Sequence, residues 1–139
     1  VTAAAIDRTP AASGVQPPGW AALGATLAGV LVFEGLLSLV LEVFYLPTYV
    51  GSTPLPFPIL VAAVVNVLLV MGMGVVTNRP AAMALPLAAW LFGFLLCATT
   101  GPGGDVLLTD SWTAPVLLAG GLIPAGFYLF RRVFVRPRA

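Results

Sequence analysis

The sequence predicts an all-α integral membrane protein, a four-transmembrane-helix bundle with cytoplasmic N- and C-termini. Three features carry this expectation. Apolar residues fall in four long continuous runs, proline- and glycine-rich segments separate the runs, and all six arginines lie on one side of the resulting layout. Of the 139 residues, 60% are hydrophobic and 8% charged, whereas ordinary soluble domains carry roughly 25% charged residues. Mean hydropathy is +1.05. Inside lipid, only helices and closed barrels satisfy every backbone polar group, and barrel strands would alternate over about ten residues. The runs here do not alternate.

Residues 1–18 are rich in Ala, Ser and Pro without a long apolar stretch, which predicts a flexible cytoplasmic tail. They lack the basic start and short apolar core of a secretory signal. The transmembrane domain is expected over 19–130. Its first run, 20–46, is long enough for a helix of roughly 40 Å, more than a hydrocarbon core of about 30 Å. Residues 47–58, PTYVGSTPLPFP, break it with prolines and a glycine. The second run covers 59–76. A tight turn at 77–80 follows, with Pro80 placed at the first turn of the next helix. The third run, 81–98, leads into a polar connection over 99–113 that contains GPGGD, read as a flexible turn because no lysine or strand-to-helix context supports a phosphate loop. The fourth run, 114–130, ends at Arg131-Arg132, and 131–139 is a basic cytoplasmic tail.

Four spans put Arg8, Arg79, Arg131, Arg132, Arg136 and Arg138 on one side, the cytoplasmic one by the positive-inside rule. Arg79, Arg131, Arg132, Arg136 and Arg138 are thus expected to set topology and face lipid headgroups. Arginine without lysine, among many Ala, Val, Gly and Pro, matches GC-rich codons and points to a bacterial cytoplasmic membrane.

Several function classes are excluded on composition. The chain has no histidine and one cysteine, Cys97, so imidazole-ligated metals, paired-cysteine zinc sites and His-based triads are absent. No cofactor is expected. A net charge of +1 without clustered cations argues against nucleic acid as a partner. Met71 and Met73 face different sides of a helix and read as packing residues.

The candidate intramembrane polar site is Glu34, Ser38, Glu42 and Asn66. Glu34 lies roughly 18 to 21 Å from either end of its run, near the bilayer centre, where the comparable Asp costs about 2.5 to 3.5 kcal/mol on insertion scales. Ser38 and Glu42 follow at four-residue steps, each drifting about 40° around the helix. Glu42 comes within about 6 Å of the outer end. Asn66 sits about 10 Å below the outer end of the second run, near the depth of Ser38, and a hydrogen bond between them is expected. Close helix approach is expected at the small-residue pairs Gly24/Ala28, Ala25/Gly29, Ala84/Ala88 and Ala89/Gly93. Kinks are expected at Pro86 and Pro124.

Two functions fit these features. One is a non-catalytic accessory subunit of a larger membrane complex, or a self-associating membrane protein, in which the polar residues act as interhelical glue. The other is a small proton-coupled transporter with Glu34 as its membrane-embedded carboxylate. The layout is similar to that of the small multidrug resistance transporters, with four short helices and a glutamate in the first. The resemblance implies Glu34 as that carboxylate, although the aromatic-rich stretches lining that family's pocket have no counterpart beside it. A lipid-acting enzyme would need Asp105 and Asp110 as a catalytic pair, whereas aspartates in a polar connection ordinarily cap helices or form turns.

Overall fold

A computed structural model describes residues 17–46, 49–54, 57–99, 108 and 112–135. Most of the 1–18 tail, Asp105, Asp110, GPGGD, Arg136 and Arg138 lie outside the described residues. The fold is helical: α1 is Pro18–Tyr45, α2 Phe57–Val76, α3 Pro80–Met83, α4 Leu85–Ala98 and α5 Thr113–Phe130. Between α1 and α2, the two-residue strands β1 (Tyr49–Val50) and β2 (Thr53–Pro54) pair antiparallel. Gly51, at φ +67°, supplies the left-handed residue of the turn between them.

Among the described residues, three helices are long and apolar enough to cross a membrane: Pro18–Tyr45, Phe57–Val76 and Thr113–Val135. The chain therefore has the character of a membrane protein. Pro18 opens α1 and Pro80 opens α3, each at a first-turn position where a missing N–H is harmless. Thr77 Oγ1 accepts from the Arg79 N–H at 3.2 Å and tightens the connection between α2 and α3.

The third apolar run is interrupted. Its first turn, α3, stops at Met83, and the 14-residue α4 begins at Leu85. Pro86 is the cause, because it has no N–H for the carbonyl of Ala82 and its ring clashes with that carbonyl. On its own α4 extends about 21 Å, less than a hydrocarbon core. Pro124, by contrast, is accommodated within a continuous α5. The chain also stays helical past Arg131-Arg132, as a π-helical segment, Arg131–Val135.

Helix α2 packs broadly on α5, and α1 lies against both α2 and α4. Leu39, Ala62, Trp90, Phe94 and Leu117 form the larger core cluster, and Leu108 reaches back onto it from the α4–α5 connection, its N–H donating to Cys97 O at 3.3 Å. Val70, Met83 and Ala125 form a second cluster nearer the arginine-bearing end. Small residues permit these approaches, at Gly93 as expected but not at Gly24 or Gly29. A Cβ on Gly35 would meet Pro86 O at 2.5 Å, and one on Gly93 would meet Leu39 Cδ2 at 2.6 Å. Gly29 has nothing within 4 Å, and Gly24 has only Val76 Cγ1, at 3.9 Å. Along α1, buried residues begin only at Gly35.

Candidate intramembrane polar site

Glu42 is the centre of the buried polar network. It is 2% exposed, and each carboxylate oxygen takes one donor. Ser38 Oγ donates to Oε1 at 2.5 Å from one turn earlier on α1, and Trp90 Nε1 donates to Oε2 at 2.8 Å from α4. A carboxyl oxygen accepts and an indole N–H only donates, so the pair is matched in type as well as in place. Trp90 in turn stacks on Phe94, with ring centroids 5.8 Å apart.

Asn66 is also buried, but it turns away from Ser38. Its Nδ2 donates to Gly121 O on α5 at 3.3 Å, and its Oδ1 has no partner among the described residues. The expected Ser38–Asn66 bond is replaced by two separate ones, Ser38 to its own helix and Asn66 to α5. Gly121 is what allows this, since a Cβ there would meet Trp90 Cη2 at 2.5 Å and Asn66 Nδ2 at 3.0 Å. Trp90 and Asn66 therefore converge on one glycine, and the polar residues engage α1, α2, α4 and α5 together.

Glu34 stands apart. It is exposed on the surface of α1 and has no hydrogen-bond or ion-pair partner among the described residues. Helical geometry accounts for the contrast with Glu42: two four-residue steps turn the side chain through about 80°, enough to carry it from the core to the surface. The two carboxylates still share a groove of about 290 Å³ between α1 and α2, walled by Leu41, Tyr45, Phe57, Val61 and Val65 among others. Such a site, apolar along its walls with carboxylates at intervals, is chemically suited to a hydrogen-bond donor or cation carried on an apolar body. Among the described residues no three acidic or cysteine side chains are grouped to hold a metal ion.

At the other end of the bundle the arginines differ among themselves. Arg79 is exposed. Arg131 is exposed, with Cζ 5.9 Å from the centroid of the Phe127 ring. Arg132 is half-buried and turned toward the protein, where Nη2 donates to Gly74 O at 2.8 Å and Nη1 to the Tyr128 hydroxyl at 3.3 Å. Gly74 lies in the last turn of α2, whose carbonyls lack intrahelical donors, so Arg132 caps α2 from the far end of α5.

Sequence reasoning missed Trp90, Gly121 and the Arg132–Gly74 pair. A signal for Trp90 was present, because an indole N–H inside an apolar span needs an acceptor and few are available there. Nothing local in the sequence marked Gly121 or Gly74 among the many glycines. Comparison of the chain with protein-family models, with curated proteins and with solved structures found no match.

Proposed function

We propose that this chain is a small non-catalytic interaction protein of the bacterial cytoplasmic membrane, which associates through the outward face of α1 with a partner subunit or with a second copy of itself. The observation that carries this reading is Glu34: a carboxylate near the middle of the longest span, facing outward, without an intrachain partner. An ionisable group at that depth ordinarily faces a bundle interior or meets another polar group. Association supplies that second group. The part of α1 before Gly35, which contributes no buried residue, offers further surface to the same partner.

The chain crosses four times in this reading, with α3 and α4 acting as one broken span. Residues 80–98 together extend about 28 Å, close to a hydrocarbon core. Both termini are then cytoplasmic. The Arg132–Gly74 contact supports placing Arg131 and Arg132 at the same end as the α2–α3 turn that carries Arg79.

A second reading, a proton-coupled carrier using Glu34, draws on the groove that Glu34 shares with Glu42. One experiment separates the two. The chain is purified in mild detergent at native expression level, and Glu34→Gln and Glu34→Leu are compared. Under the interaction reading the native chain comes out in a stoichiometric larger complex or oligomer. Gln, which keeps the size and hydrogen-bonding capacity of Glu, retains that assembly, and Leu weakens it. A folded Glu34→Gln protein that keeps its assembly but loses proton-linked uptake in reconstituted vesicles would establish the carrier instead.

A further inference from the structure

At the arginine-bearing end, Tyr128, Arg131, Arg132 and Val135 enclose a second cavity, of about 180 Å³. Their spacing places them on one helical face, and the helical continuation through Arg131–Val135 closes that face with Val135. Two cations are therefore adjacent here. The described carboxylates, Glu34 and Glu42, line the other groove, and neither arginine has an acidic partner among the described residues.

Donors remain available in this cavity. Arg132 commits two of its five N–H groups, to Gly74 O and the Tyr128 hydroxyl, which leaves three. Arg131 makes no hydrogen bond among the described residues and only skirts the Phe127 ring. The Tyr128 hydroxyl accepts from Arg132, so its own proton is free to be donated. Guanidinium groups with a hydroxyl beside them match the oxygens of a phosphate.

We propose that this cavity binds the phosphate of an anionic phospholipid headgroup. Phe127, Phe134 and Val135 face outward beside it, as acyl chains require and dissolved phosphate does not. An anionic lipid is favoured over a zwitterionic one because the two arginines have no counter-charge among the described residues. The site is a specific one, distinct from diffuse attraction of a basic tail to a charged surface.

The test uses the full chain reconstituted in vesicles of mixed phosphatidylglycerol and phosphatidylcholine, extracted gently, with retained lipid counted by native mass spectrometry. The native chain retains phosphatidylglycerol in preference to phosphatidylcholine. Arg131→Gln lowers that retention at least about tenfold, the factor for losing a charge-assisted hydrogen bond to the headgroup, and Tyr128→Phe, which removes only a hydroxyl, also lowers it. The double variant Arg136→Gln/Arg138→Gln, which removes more charge from the same tail, leaves retention within twofold. Circular dichroism confirms that each variant is folded. Unchanged retention in both Arg131→Gln and Tyr128→Phe would overturn the site, as would a loss in the double variant equal to that in Arg131→Gln. Displacement of the lipid by excess inorganic phosphate would assign the cavity to a dissolved anion instead.

Discussion

Trp90 and Glu42, on different helices and both buried, are joined by a 2.8 Å hydrogen bond from the indole Nε1 to the carboxylate Oε2. The bond ties α4, the short apolar helix, to α1, the longest. Glu42→Leu removes both acceptors and strands the Trp90 N–H, so unfolding free energy should fall by about 1 to 3 kcal/mol. Glu42→Gln keeps an acceptor for Trp90 and an amide that can donate to Ser38 Oγ, so its loss should stay below about 1 kcal/mol, in the range of single interhelical bonds. Unfolding in mixed micelles with rising SDS measures both. Equal losses would show that the bonds are immaterial and only packing volume matters.

The convergence of Trp90 and Asn66 on Gly121 makes that position intolerant of even one methyl group. Gly121→Ala should destabilise by about 1 to 3 kcal/mol through overpacking. Gly126→Ala, on the same helix with nothing within 4 Å of a new Cβ, should be neutral or slightly stabilising. Thermal unfolding of the two variants in one detergent makes the comparison, and a harmless Gly121→Ala would contradict the close approach.

The cap on α2 is open to a double-mutant cycle. A Cβ on Gly74 would meet Arg132 Nη1 at 2.3 Å. The guanidinium lies at the end of a flexible side chain, so Gly74→Ala should displace it and lose a charge-assisted bond of about 1.5 to 3 kcal/mol without disturbing the core. Arg132→Gln should cost a similar amount, and the double variant little more than either. Additive losses would mean that the two residues act independently.

Topology is tested by cysteine labelling in a Cys97→Ala background. Cysteines at Ser52 and Ser111 should react with an impermeant thiol reagent in intact cells, and one at Asn78 should react only after lysis. The reverse pattern would invert the orientation inferred from the arginines.

The helical, membrane-type architecture was legible because hydropathy and proline placement are local properties. A continuous apolar run becomes a helix in lipid whatever surrounds it, and Pro80 and Pro86 act on their own backbones. Even so, Pro86 was expected to bend one span, whereas it splits off α3, and Pro124 leaves α5 continuous.

The polar site was only half legible. The spacing of Glu34, Ser38 and Glu42 set their relative angles, but which end of the stripe points inward depends on where α2 and α4 pack. Trp90 lies 48 residues from Glu42, and Gly121 lies 55 from Asn66. No helical period connects residues so far apart. Arg132 shows the same limit, since its charge was visible in the sequence but its contact with a carbonyl 58 residues away was not.

Those long separations also impose a timetable on biosynthesis. A ribosome adds about 5 to 20 residues per second, so Trp90 follows Glu42 by roughly 2 to 10 s, and Arg132 reaches Gly74 later still. Of the two donors that Glu42 has among the described residues, Ser38, its neighbour on the nascent helix, is the one in hand throughout that interval. The first hairpin therefore leaves the ribosome with its carboxylate half-satisfied and α2 uncapped.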